Sequence, residues 1–135
     1  RIVFGSDLPL EMIGWDISVA DAVISDELAN QLSKLSDLGN FAMSIQRQVR
    51  EFCRTETKLD GFDLPDPIAM AVALDSSIVT SEVQKHVRVN LGHGDTRGQT
   101  LVDHLEIINN RNNCRVVLRT DRKKFIEMLR AALAA

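Results

Sequence analysis

Residues 64–74, LPDPIAMAVAL, set one acid between two prolines at the mouth of a run that is apolar on every face. Asp66 is placed to act as the N-cap of a helix, with Pro67 at the first helical position, where a missing N–H costs nothing. A helix that is apolar all round has to be buried in something larger than itself, so the rest of the chain must wrap it. An acid held rigidly at the rim of such a helix serves as a cap or as a metal ligand. Partner groups decide between the two, and the chain is short of them.

The 135 residues, 44% hydrophobic and 26% charged, fit one globular domain over 1–135 with a core of its own. Sixteen basic against 19 acidic side chains, net -3, give no electrostatic case for a nucleic-acid or anionic-membrane partner. Cys53 and Cys114 are too few and too far apart for a disulfide framework or a CxxC metal site and read as reduced, buried thiols. There is no stretch long enough to span a bilayer and no signal peptide, and the expected compartment is the cytoplasm. The chain opens on Arg1 and not on Met, so a fragment or a processed chain is expected.

Along the chain, 1–4 reads as an edge or capping remnant and 10–18 as a strand. Ser25 precedes Asp26 and Glu27 as an N-cap before first-turn acids, and Leu28, Leu32, Leu35 and Leu38 carry that helix to a stop at Gly39. A second helix over 40–54 sets Phe41, Ile45, Val49 and Phe52 on one side and Arg47, Arg50, Glu51 and Arg54 on the other. Residues 55–65 read as a loop and 76–81 as a short connection. Val83, Val87, Val89 and Leu91 then alternate with polar residues as a half-buried strand, returning over 100–108 as a hairpin around Gly92, Gly94 and Gly98. A polar turn at 109–113 and a strand at 115–119 follow. Thr120 then caps a last helix whose inward stripe is Phe125, Met128, Leu129 and Ala132. This is an α/β pattern with too few βαβ units to finish a parallel sheet alone.

Calcium takes about six to eight oxygen ligands. Around Asp66 the chain offers Asp60, Asp63 and the Leu64 carbonyl, without the spacing of an acidic cluster. His86, His93 and His104 do not make a zinc set and read as structural or solvent-facing. Neither cysteine has a neighbouring histidine, there is no Gly-x-Ser-x-Gly elbow, and the glycine turn has no phosphate-loop spacing. Arg97 in that turn is placed to bind an anion or to close the turn by a salt bridge.

Four segments together point further: 3–18 (VFGSDLPLEMIGWDIS), 64–79 (LPDPIAMAVALDSSIV), 96–103 (TRGQTLVD) and 115–133 (RVVLRTDRKKFIEMLRAAL). In this order they resemble the C-terminal part of the inosine-uridine-preferring nucleoside hydrolases. The resemblance implies an open Rossmann-like α/β sheet and cleavage of the N-glycosidic bond of purine or pyrimidine ribonucleosides. It implies one calcium ion at the C-terminal ends of the strands, holding the ribose diol and a nucleophilic water. Asp66 matches the family aspartate that completes the calcium shell. Pro65 stands where many members carry the histidine proposed to protonate the leaving base, and it has no proton to give. Phe52, Arg47 and Arg54 fall where the family places mobile base-contacting residues. The family's DTDxGxDD-type motif, source of the general base and most calcium ligands, has no counterpart here.

The expectation is therefore a C-terminal portion of the fold, ending in a β-hairpin and a terminal helix. Such a portion would be inactive alone, would not retain calcium, and would need the N-terminal half of the same fold as partner. A homo-oligomer is also expected. The alternative is a non-enzymatic α/β module used in association, its unpaired apolar edges driving assembly.

Overall fold

The computed structural model describes residues 1–108 and 110–135; of the polar turn expected at 109–113, Asn109 lies outside the described residues. After a short 3-10 turn at Val3–Gly5, strand β1 covers Glu11–Ile13. The strand expected over 10–18 ends there, because Gly14 in an extended conformation turns the chain into helix α1, Trp15–Asp21. Strand β2 (Val23–Ile24) leads into helix α2 (Asp26–Leu32), capped as expected by the Ser25 side chain on the Leu28 N–H.

The leucine repeat does not run on to Gly39. Helix α2 ends at Leu32, Ser36 caps a new helix α3 (Asp37–Ile45), and Gly39 lies inside it. The reason is contact: a Cβ on Gly39 would collide with the backbone carbonyl of Leu32, so only glycine lets the two helices come this close. Helix α4 (Arg47–Phe52) and a π-turn at Cys53–Thr57 follow. Packing runs through Gly39, Ala42 and Met43, and the side that carries Phe41, Ile45, Val49 and Phe52 is exposed.

The expected loop after residue 55 holds strand β3, Phe62–Asp63, paired antiparallel with β2. Gly61, at φ 123°, admits this pairing, since a side chain there would strike the Ile24 carbonyl. Helix α5, Pro65–Leu74, is the apolar run read first in the sequence, and Ile68, Ala71 and Val72 are buried. A 3-10 turn (Ser76–Ile78) opens into β4 (Val79–Lys85). Strand β5 (Val87–Val89) pairs antiparallel with β6 (Thr100–Val102), as the alternation and glycines predict. Strand β7 (Cys114–Thr120) and helix α6 (Arg122–Leu133) close the described chain. The cap of α6 is Asp121, whose carboxylate accepts from the Lys124 N–H, and not Thr120. Leu133 is buried at its inner end, where Ala132 had been expected.

The main sheet has order β1-β7-β4, with β1 parallel and β4 antiparallel to the central β7. Successive side chains of β7 serve opposite faces. Val117 packs into the larger core with Ile17, Ile68, Val72 and Phe125. Cys114 and Val116 pack with Val87 into a smaller one. No helix among the described residues is long and apolar enough to cross a membrane.

Candidate functional site

The N-terminus of α5 departs from expectation by two residues, with a consequence for Asp66. Pro65, not Pro67, opens the helix, and Leu64 is the N-cap, with no side-chain cap bond. A residue before proline is pushed out of the helical region, and Leu64 sits at φ -121°, ψ 78°, while the ring of Pro65 presets a first helical residue. Asp66 is thus inside the first turn, where the helix dipole favours a negative charge. Its carboxylate is exposed and takes no side-chain hydrogen bond or ion pair among the described residues. The capping role is not realised.

Behind it the junction is rigid. The Leu64 N–H donates to the Ala22 carbonyl at 3.2 Å, and Asp63 is 7% exposed. Asp63 Oδ2 accepts from Trp15 Nε1 and from Ser18 Oγ, each at 2.6 Å. One buried carboxylate therefore ties the start of α1, just past the C-terminal end of β1, to the start of α5, just past β3. Crevices beyond the carboxyl ends of strands are where open α/β sheets bind ligands. The other end of α1 is fastened by Asp21, 2% exposed, on Thr120 and Arg119 of β7. Sequence reasoning weighed Asp63 only as a possible metal donor. The pairing with Trp15 spans 48 positions and left no local signal.

Arg47 and Arg54 are brought together, with Arg50, Glu51, Asp26 and Asp60, around a surface cleft of about 280 Å³. Arg54 is paired with Glu51 and Arg50 with Asp26, and the Arg50 guanidinium lies 5.7 Å from the Phe62 ring centre. Phe52, 55% exposed, does not line this cleft, and neither do Asp66 and Pro65. Of the histidines, His86 Nδ1 contacts the Arg111 carbonyl at 3.1 Å, and His93 and His104 are exposed. Arg97 closes its turn on the Leu91 carbonyl at 3.1 Å, not through a salt bridge. Both cysteines are free and buried, and burial pushes the Cys114 thiol pKa up.

The calcium ion that the family resemblance implies needs several converging oxygens. Among the described residues no group of three or more His, Cys, Asp or Glu side chains comes together to hold a metal. Asp66 stands alone, and Asp63 Oδ2 is taken up by its own donors. The described residues do not fit a calcium cage.

A family described as inosine-uridine preferring nucleoside hydrolase matches residues 1–127. The chain belongs to this family. A pyrimidine-specific ribonucleoside hydrolase, RihA, of Klebsiella pneumoniae is 28% identical over 99% of this chain and 43% of its own length. A purine-preferring ribonucleoside hydrolase from Gardnerella vaginalis superposes with a TM-score of 0.79 at 25% identity, over 98% of this chain and 42% of its own. A plant nucleoside hydrolase, the PpNRh1 enzyme, shares the fold with a TM-score of 0.86 at 20% identity, over 99% of this chain and 44% of its own. The chain thus spans less than half the length of the nucleoside hydrolases it matches.

These findings correct the reading of the chain as merely a C-terminal portion, in sequence and in fold. The family match starts at residue 1, and the nucleoside hydrolase backbone is followed over 98% of the chain or more. The expectations of an inactive fragment and of a separate N-terminal half as obligatory partner rested on that reading and fall with it.

Proposed function

We propose that this chain acts in hydrolysis of the N-glycosidic bond of a ribonucleoside, giving ribose and a free base. The observation that carries this is Asp66: a rigidly mounted, exposed carboxylate past the end of β3, matched to the family motif and not consumed as a helix cap. Family membership over residues 1–127 supports the reaction class. The named relatives act on pyrimidine or on purine nucleosides, which supports the ribonucleoside as the common substrate class.

In such hydrolysis the bond from the anomeric carbon to the base nitrogen breaks as water adds to that carbon, and positive charge develops on the sugar. A carboxylate at Asp66 accepts hydrogen bonds from ribose hydroxyls and opposes that charge. The calcium-ligand role that the family resemblance gives Asp66 would need further oxygen donors, which the described residues do not bring to it. Pro65, having no side-chain proton, leaves the departing base to be protonated by water or by another group. Arg47, which has no side-chain partner among the described residues, and Arg54 of the same cleft are the proposed base-side contacts, together with Phe52 outside it.

The test is incubation with uridine, cytidine, inosine and adenosine, calcium supplied, and chromatographic measurement of free base. Base release that falls roughly a hundredfold in Asp66→Ala is expected, the usual scale for losing one electrostatic contact to a transition state. No release from any of these nucleosides, or release indifferent to Asp66, would overturn the reading.

A further inference from the structure

We propose that Trp15 is the platform on which the nucleobase packs, a base-binding residue for the reaction proposed above, on which this inference rests. Trp15 is the single tryptophan of the chain and is 67% exposed, while Phe62 and Phe125 are 0% and 1% exposed in the core. Tryptophan usually brings its large apolar surface into a core or an interface. Here the fold holds it out. Gly14, extended at φ -74° and ψ 165°, turns the chain at the end of β1 so that Trp15 begins α1. The indole N–H is then fixed on Asp63 Oδ2 at 2.6 Å, and Asp63 is held on its other side by Ser18 Oγ, also at 2.6 Å.

The ring is thus immobilised through its one polar atom and keeps its apolar surface in water. An indole whose donor is already engaged offers a ligand a π face and nothing else. That selects a flat, π-rich group, which a nucleobase is, over a group recognised by hydrogen bonds. Phe41 and Phe52 are also exposed, at 61% and 55%, but have no polar handle to fix the ring.

Position supports the same assignment. Asp63, which carries the indole, is three residues before Asp66, and three extended peptide steps span at most about 11 Å. Both side chains stand at the starts of helices that pack on each other, past the ends of β1 and β3, and the proposal sets the sugar at Asp66 and the base on Trp15. Stacking on an aromatic ring tolerates any base, so Trp15 serves purine and pyrimidine alike and leaves the choice between them to other groups.

Trp15 is its own reporter. Equilibrium dialysis of the full chain with labelled uridine and inosine, calcium supplied, measures binding independently of the indole. Quenching of Trp15 fluorescence is followed in parallel, with free ribose as control. Quenching that tracks nucleoside occupancy and is absent with ribose is expected. Trp15→Ala should bind both nucleosides roughly tenfold more weakly, the scale of one lost base–aromatic stack, with ribose binding unchanged. Trp15→Phe, which keeps a flat face but loses the N–H that fixes it, should recover part of the affinity; a purely structural role would not show that recovery. Nucleoside binding with unmoved fluorescence, or undiminished in Trp15→Ala, would overturn the assignment while leaving the hydrolase reading intact. No nucleoside binding at all would overturn both. The quenching arm needs no variant and decides the matter even if Trp15→Ala does not fold.

Discussion

Asp21 and Thr120 are joined twice: the Thr120 N–H and Oγ both donate to Asp21 Oδ2, at 2.8 and 3.2 Å. Asp21 is 2% exposed and Thr120 6%, so neither group can fall back on water. The bond locks the last residue of α1 to the C-terminal end of β7, which is what keeps the other end of α1, with Trp15, in place.

Asp21→Ala should therefore cost about 3 kcal/mol of stability, because it strands the Thr120 N–H without an acceptor. Thr120→Val removes only the longer hydroxyl bond and should cost about 1 kcal/mol. Urea unfolding of the two variants measures the difference. Equal losses would mean that the backbone bond does not bear the strain assigned to it. Arg119, also paired with Asp21, keeps that pair in Thr120→Val and loses it only in Asp21→Ala, but at 59% exposure it returns to solvent there and adds little to the difference.

Gly39 yields a prediction opposite in sign to helix propensity. Alanine in a helix interior is normally favoured over glycine by about 1 kcal/mol. At Gly39 the new methyl would run into the backbone carbonyl of Leu32, which is not the free end of a flexible side chain. Gly39→Ala should be destabilising by about 1–3 kcal/mol, the usual range for overpacking. A thermal melt showing a rise would place α3 farther from α2 than the structure does.

What the sequence disclosed depended on how local each cause was. The helix over 64–74, the Ser25 cap and the β5–β6 hairpin come from neighbours within a few residues, and all are present. Only the Ile68, Ala71 and Val72 side of that helix is buried, with Met70 and Leu74 exposed, so the all-round burial expected of it is not found. Which side of α3 and α4 faces inward is not decided by apolar periodicity, since periodicity cannot know that Gly39 permits a closer approach than Phe41 and Ile45 would. At the candidate site, the motif singles out Asp66 but not its register. Two prolines flank it, both suit a first helical position, and the choice falls to Pro65. Asp63 and Trp15 were invisible as a pair, because a hydrogen bond across 48 positions leaves no trace in spacing.

The register of α5 separates a structural from a functional role for Asp66. An N-cap loses about 1 kcal/mol on mutation to alanine. Asp66 caps nothing, so Asp66→Ala should shift stability by no more than about 0.5 kcal/mol, the range of an unengaged surface position. Ser25→Ala, which removes a real cap bond on the Leu28 N–H at 3.2 Å, should show the full loss. Differential scanning calorimetry of both variants tests this. A loss at Asp66 equal to that at Ser25 would restore the capping role and weaken the case for a carboxylate kept free for a ligand.

Acid should loosen the end of α5 through Asp75. Its carboxylate accepts from Lys124 Nζ at 2.6 Å, and from the hydroxyl and N–H of Ser77 at 2.7 and 3.0 Å. The bond from Lys124 comes first among the causes that lower its pKa from 3.8 to about 2. A carboxyl group with a lower pKa in the folded chain stabilises it at pH values above the unfolded value. That contribution is complete above pH 3.8 and is lost as the pH falls toward about 2. Asp75→Asn should thus lose less of its melting temperature than the parent over this window and match the parent's slope above it. The variant's curve should still bend, because Arg115 holds the Glu82 carboxyl below its ordinary value and the Ile108 N–H does the same for Asp103. All these groups are solvent-exposed to some degree, so added salt should shrink the difference between the curves. Parallel curves through the whole acid range would show that the Lys124 contact does not persist in solution.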